Sequence, residues 1–245
     1  MAESIFKQIA RRILRLIISY LPTEGLRHRL RSLIIKTKDG LHPSLLCQPG
    51  EIVVLVGVHR IDTVMQWSES VGAAGKLVLV EAIPRYLDNI KYNLETHLNW
   101  GINNIVYVAK GVSSARESGA IEVGRKADFN KLAEHQIEDG LSENDFIGVE
   151  ITELDTLDNI IFNLGINNIN HIYMTISGLE LEALKGMRGI LGTRGLTILI
   201  RSLHSRDGKL LYLQVMEELE KAGLHVTAGK KIKTAAGRNI YAYRV

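Results

Sequence analysis

Apolar residues along the chain fall into two patterns: short continuous runs bounded by glycine or proline, and longer stretches with helical spacing. Glu51-Ile-Val-Val-Leu-Val-Gly57 follows the turn signal Pro49-Gly50 and predicts a central strand buried on both faces. Thr63 to Ser70 predicts a short helix, and Val71-Gly-Ala-Ala-Gly75 breaks it before Lys76-Leu-Val-Leu-Val-Glu81, a second buried strand ending in a carboxylate. Pro84 opens the next helix, because the first turn leaves its missing N–H without a role in any case. That helix runs to about Leu98, Gly101 stops it, and Asn104 to Ala109 forms a third strand.

Residues 112–151 break the alternation. Gly119-Ala-Ile-Glu-Val-Gly124 and Phe146-Ile-Gly-Val-Glu-Ile151 read as short strands around a polar segment, Arg125 to Asn144, and the whole predicts a hairpin or lid insertion. Helices are then expected over Thr152 to Leu164, Leu179 to Leu191 and Leu210 to Ala222. The strands between and after them are His171 to Ile176, Leu196 to Arg201, His225 to Thr227 and Asn239 to Arg244, the last two as a terminal antiparallel pair. Strands alternating with helices imply right-handed crossovers and a mostly parallel sheet. The fold class expected is α/β: a Rossmann-like, doubly wound sheet of seven strands over residues 49–245, preceded by a helical extension over residues 1–48. Gly101-Ile-Asn-Asn-Ile105 recurs as Gly165-Ile-Asn-Asn-Ile169, and is read as a helix-stop turn used twice.

Composition adds limits more than direction. A chain of 245 residues with 46% hydrophobic and 23% charged residues builds one substantial globular core. Cys47 is the only cysteine, which excludes an internal disulfide and points to a cytoplasmic setting. The net charge of +3 is too small to imply nucleic acid, but Lys7, Arg11, Arg12, Arg15, Arg27, Arg29, Arg31, Lys36 and Lys38 crowd into the first 38 residues. There Ile5, Phe6, Ile9, Ile13, Leu14, Leu16, Ile17, Ile18 and Leu21 recur at helical spacing, with Arg11, Arg12 and Arg15 on another face. The first expectation is a helix packed on the domain; the second is a peripheral contact of residues 1–38 with a membrane, its apolar face in the interface and the arginines on anionic lipid. The run from Leu16 to Leu21 is too short to span a bilayer.

In an open parallel sheet, ligands bind beyond the carboxyl ends of the strands. Gly57 and Glu81 both belong there: glycine permits close approach of a ligand, and a carboxylate after the second strand accepts hydrogen bonds from ribose hydroxyls. Gly57-Val-His-Arg-Ile-Asp62 is neither a dinucleotide fingerprint nor a phosphate-binding Walker loop. No spacing of His, Cys, Asp or Glu suggests a metal site; Trp67, Trp100, His97, His135 and His171 are read as packing or solvated residues.

Several co-linear segments resemble the FkbM family of S-adenosylmethionine-dependent methyltransferases across roughly residues 50–205. Thr156-Leu-Asp158 and His171-Ile-Tyr-Met-Thr-Ile-Ser-Gly-Leu-Glu-Leu-Glu-Ala-Leu-Lys-Gly-Met187 are similar to that family's Thr-Leu-Asp turn, fourth strand and following helix, with Gly178, Glu180, Leu184, Lys185 and Gly186 matching in place. Gly72, Gly75 and Glu81 also match. The chain departs from the family where Leu55 stands for an aspartate, His59 for an asparagine, Ile61 for a glycine, Thr175 for an aspartate, Ser177 for a glutamate and Arg201 for a glutamate. The resemblance implies a class I methyltransferase-type fold and transfer of a methyl group from S-adenosyl-L-methionine to a hydroxyl of a sugar, glycolipid or secondary metabolite, with no nucleic-acid partner. It implies a cofactor cradle of Gly57, Val58, His59, Asp62, Glu81, Ala82, Val112 and Ser177; Glu180 and His204, which follow strands whose carboxyl ends face the crevice, are the candidates for a base. The replaced acids keep open a second class, a methyltransferase-fold protein that has lost cofactor binding and serves as a binding module. A Rossmann-type protein holding another nucleotide through Glu81 is the third.

Overall fold

A computed structural model of the chain describes residues 5–38, 40–58, 60–96, 104–124, 130–132, 146–206, 208–231 and 237–245. Three helices lead, α1 (Ile5–Tyr20), α2 (Glu24–Thr37) and α3 (Pro43–Leu46). The alternating part begins with β1 (Ile52–Val56), α4 (Ile61–Val71), β2 (Lys76–Glu81), α5 (Pro84–Thr96) and β3 (Ile105–Ala109). An insertion follows, β4 (Gly111–Val112), β5 (Glu117–Gly124), β6 (Lys131–Leu132) and β7 (Phe146–Asp155). The chain resumes with α6 (Leu157–Asn163), β8 (His171–Met174), α7 (Glu180–Lys185), α8 (Arg188–Leu191) and β9 (Thr197–Ser202). A two-stranded ribbon, β10 (Ser205–Arg206) and β11 (Lys209–Leu210), precedes α9 (Leu211–Lys221), β12 (His225–Lys231) and β13 (Arg238–Tyr243).

The seven-stranded main sheet has the order β12-β13-β9-β8-β1-β2-β3. β3, β2, β1, β8 and β9 pair in parallel, and β13 lies antiparallel between β9 and β12. Alternation along each central strand feeds two separate cores. Val54, Val56, Val78, Val80, Ile172 and Met174 enter one with α6 to α9, whereas Val53, Leu55, Leu77 and Leu79 enter the other with α2 to α5. A continuous apolar run is what such a strand requires, since neither face meets water. Each of these fully buried side chains contributes ~1.5–3 kcal/mol. Strand order reverses between β1 and β8, which opens a crevice at their carboxyl ends.

The insertion is a four-stranded sheet, β4-β7-β5-β6, rather than a hairpin alone. β7 continues through Thr152-Glu-Leu-Asp155, where a helix was expected. Thr152 and Leu154 are buried while Ile151 and Glu153 are exposed, so this segment follows a period of two. The helix starts only after Thr156, whose hydroxyl accepts the Asn159 N–H at 3.1 Å as an N-cap. The helix expected over Leu179 to Leu191 is split into α7 and α8. A Cβ on Gly186 would stand 2.0 Å from the Ser113 carbonyl oxygen, so the chain turns there against the insertion. Asp158 then caps α8, accepting the N–H groups of Gly189 at 2.8 Å and Ile190 at 2.9 Å. The Thr156-Leu-Asp158 motif is accordingly a double cap that fixes two helices.

α2 packs on β12 and β13. His28 stacks on Tyr243 with ring centroids 4.0 Å apart, and its Nδ1 meets the Tyr241 hydroxyl at 2.7 Å. Arg31 reaches across to the carbonyls of Leu45 at 2.8 Å and Leu46 at 2.6 Å. α1 packs on the domain through Leu14 and Ile18, while Phe6, Ile9, Ile13, Leu16, Ile17 and Tyr20 are exposed. At the opposite end of the sheet from the crevice, His171 bridges Glu51 and Thr197. Its burial lowers its pKa, so a neutral ring joins those strand starts. Among the readings above, His59, His97, Trp100, His135 and most of the polar segment 125–144 lie outside the described residues.

Candidate functional site

The crevice between β1, β2 and β8 holds a cavity with an empty volume of about 620 Å³, part of it open to solvent. Its walls are mostly apolar: Val56, Val80, Val112, Ile121, Leu154 and Ile176 contribute, with Glu81, Lys110, Asn130, Lys131, Thr175 and Ser177 as the polar members. Gly57, Ala82, Ile83, Gly111 and Leu179 complete it. The insertion thus forms one wall and the strand ends the other. Thr152 ties them together, its hydroxyl donating to the Ala82 carbonyl at 2.7 Å.

Glu81 ends β2 almost wholly buried, and its Oε1 accepts the Ile83 N–H at 3.0 Å. That bond fixes the carboxylate against the strand end. Lys110 follows β3 and donates to Glu153 at 2.8 Å and to Asp155 at 3.0 Å. Burial alone would raise the Asp155 carboxyl, but bonds from Lys110, Asn159 and the Thr156 N–H hold it below its ordinary range. The ammonium of Lys110 is stabilised in turn by the same bonds. The pair anchors the base of the insertion, where β4 runs beside β7.

Gly57 has φ +79°, but the space beside it is not left to a ligand. A Cβ there would lie 2.3 Å from the Thr175 carbonyl oxygen and 2.9 Å from Ile176 Cγ2. The Thr175 hydroxyl donates to the Gly57 carbonyl at 2.6 Å, and the Thr175 N–H donates to the Val56 carbonyl at 2.8 Å. The glycine is therefore demanded by close contact between two strand ends of the chain itself, and its backbone also lines the first cavity. Thr175, where the family has an acid, forms this lock.

On the other side of the lock lies a second, more polar cavity of about 690 Å³ empty volume, lined by Gly57, Val58, Arg60, Asp62, Thr63, Gln66, Tyr173, Thr175 and Arg201. Arg60 grips Asp62 with two bonds, at 3.0 and 2.7 Å, and these hold the Asp62 carboxyl below its usual range.

The residues expected to form one site are thus divided. Gly57, Glu81, Ala82, Val112 and Ser177 line the first cavity, and Val58 and Asp62 line the second. Glu180 lines neither. It is fully enclosed, and burial raises its pKa to about 8, so at neutral pH it carries a proton and cannot accept one. His204 is half-buried in the loop after β9, where its carbonyl accepts the Leu211 N–H, and it lines neither cavity. Lys110, Asn130, Lys131, Ile121 and Leu154 were not anticipated. Lys110 alone gave a signal, as a charged residue directly after a buried strand; the rest reach the cavity through an insertion whose register the sequence does not fix.

S-adenosylmethionine presents an adenine, a ribose diol, a sulfonium, an ammonium and a carboxylate. The first cavity offers a carboxylate, Glu81, that could accept from a diol, and apolar walls, Val56, Val80, Val112, Ile121 and Leu154, that could meet a ring. The amino-acid half is differently furnished. Leu55 is fully buried, Thr175 is spent on Gly57, and the acid lining the second cavity, Asp62, is already paired with Arg60.

No protein-family model matches the sequence, and no curated protein matches it. Among solved structures, the chain is similar to a methyltransferase FkbM from Methylobacillus flagellatus KT, with TM-score 0.52 and 13% identity over 98% of this chain and 60% of that one. It thus spans about 60% of that protein's length. It is also similar to an Aeropyrum pernix fibrillarin solved with natively bound S-adenosyl-L-methionine, with TM-score 0.50 and 13% identity over 87% of this chain and 74% of that one. At such identities the likeness concerns architecture, and it agrees with the sheet order and terminal antiparallel hairpin: the fold is that of the class I methyltransferases.

Proposed function

We propose that this protein is an S-adenosylmethionine-dependent methyltransferase that holds the adenosyl half of its cofactor in the cavity beyond β1 and β2. The observation carrying this reading is Glu81, a nearly buried carboxylate fixed at the end of β2 inside a mostly apolar cavity at the switch point of the sheet. The cofactor would supply an electrophilic methyl group on sulfur. The chain's part is to hold the ribose through Glu81, to enclose the adenine with Val112, Ile121 and Leu154, and to exclude water with the insertion tied to Ala82. The resemblance to FkbM enzymes supports a hydroxyl acceptor, from a sugar, glycolipid or secondary metabolite. Of the two candidate bases, Glu180 is enclosed and already protonated and His204 stands outside both cavities, so neither is placed to take the hydroxyl proton.

A second reading is favoured by the bond between Thr175 and Gly57: a methyltransferase-fold module that binds an adenosyl ligand, or none, without transferring a methyl group. Incubation with methyl-labelled S-adenosylmethionine and fractionated cell extract separates the two. Label in a small molecule or glycan supports the enzyme. Ligand-induced thermal stabilisation without transfer supports the module. The absence of both signals at millimolar cofactor refutes the adenosyl site itself.

A further inference from the structure

α1 presents its faces in the opposite sense to an ordinary surface helix. Leu14 and Ile18 reach the core, and Ile18 is 1% exposed. On the other side stand Phe6 at 84%, Ile9 at 49%, Ile13 at 53%, Leu16 at 55%, Ile17 at 50% and Tyr20 at 82% exposure. At the helical repeat these six fall within an arc of about 100°. The stripe is continuous, runs the length of the helix, and has an aromatic ring near each end.

The surrounding charge is strongly of one sign. Residues 5–38 carry Lys7, Arg11, Arg12, Arg15, Arg27, Arg29, Arg31, Lys36 and Lys38 against Glu24. Arg12 is exposed one turn from Leu16, at the edge of the stripe, and Arg29, Lys36 and Lys38 are exposed farther along. Two copies meeting through α1 would bring two such segments together, with like charges facing. An anionic lipid surface would instead neutralise them while taking up the apolar side chains.

We propose that α1 seats this protein on an anionic phospholipid bilayer, lying in the plane of the interface with Phe6, Ile9, Ile13, Leu16, Ile17 and Tyr20 among the acyl chains. The helix of 16 residues extends ~24 Å, short of the ~30 Å hydrocarbon core, so it lies along the surface and does not cross it. Among the described residues no helix is long and apolar enough to span a membrane. Arg12 reaches from the edge of the stripe to the phosphates, its methylene stem covering apolar surface. The proposal is independent of the cofactor reading, because no α1 residue lines either cavity.

Flotation of the full chain with vesicles of phosphatidylcholine, alone or mixed with phosphatidylglycerol, tests it. The protein floats with the mixed vesicles, binds phosphatidylcholine alone weakly, and is released by high salt. The paired substitution Ile9→Asp with Ile13→Asp lowers binding at least about tenfold, and Arg12→Gln lowers it about fivefold. Both leave the thermal unfolding midpoint in place, because the altered side chains are exposed. Failure of the native chain to float with mixed vesicles overturns the proposal. So does flotation unchanged by the paired substitution, or a concentration-dependent dimer that this substitution dissociates.

Discussion

Glu180 offers a quantitative test of the packing at the start of α7. Among the described residues, neither of its carboxylate oxygens nor the neighbouring Ser202 hydroxyl makes a hydrogen bond of good geometry, and all three are buried. Burial raises the pKa from the ordinary 4.5 to about 8, and the nearby Glu180 and Gly178 N–H groups and the Ser202 hydroxyl offset only part of that shift. The folded state therefore keeps a proton that the unfolded chain has lost, so stability must fall as pH rises from 4.5 to about 8. At ~1.4 kcal/mol per pH unit, the loss from this group is on the order of 3 kcal/mol by neutral pH and about 5 kcal/mol above the folded pKa. Glu180→Gln replaces the protonated acid with a neutral group of the same shape and removes this dependence. Urea unfolding, followed through tryptophan fluorescence at pH values spanning 4.5 to 8, reads the difference between variant and native chains. The gap should widen in the variant's favour with rising pH. A gap that stays constant within ~1 kcal/mol across this window would refute the reasoning.

Three further outcomes follow from contacts away from the cavities. Gly186→Ala, which pushes a Cβ to 2.0 Å from the Ser113 carbonyl, should destabilise the protein by about 3 kcal/mol in the same denaturation assay. Asp158→Ala removes the cap of α8 and should cost ~1–2 kcal/mol, with the unfolding midpoint, not the slope, moving. His28, buried against Tyr243 and Tyr241, has its pKa lowered by burial to about 4 from 6.5. Stability should therefore decline as pH falls from 6.5 towards 4, and His28→Gln should lessen that decline in thermal melts.

The central sheet was legible because its strands are buried on both faces. Runs such as Glu51 to Gly57 and Lys76 to Glu81 have no competing helical period, and both strands formed where the pattern placed them. Thr152 to Asp155, expected as the start of a helix, is strand; Thr152 and Leu154 alternate with Ile151 and Glu153, and that period of two marks it. The break at Gly186 inside the helix expected over Leu179 to Leu191 follows from the approach of Ser113, distant in sequence. The outward turn of the α1 stripe was equally hidden, because periodicity reveals two faces but not which one meets the domain.

At the candidate site the legible part was the end of each strand. Gly57, Glu81, Ala82, Val112 and Ser177 do share a cavity. The role of Gly57 was only half legible: a glycine followed by a loop reads the same whether a ligand or Thr175 fills the space beside it. Glu180 looked like a crevice residue since it follows a strand, yet Leu179 occupies the cavity wall and Glu180 points into the interior.

Titration calorimetry of S-adenosylhomocysteine into the native chain and into Glu81→Gln tests the adenosyl site most directly. The amide side chain of this variant would keep an oxygen for the Ile83 N–H but lose the charge that meets a ribose diol. A charge-assisted hydrogen bond is worth ~1.5–3 kcal/mol, so the native chain should bind and the variant should bind about ten- to a hundredfold more weakly. Equal affinity in the two proteins, or no binding by the native chain, would contradict the assignment of this cavity.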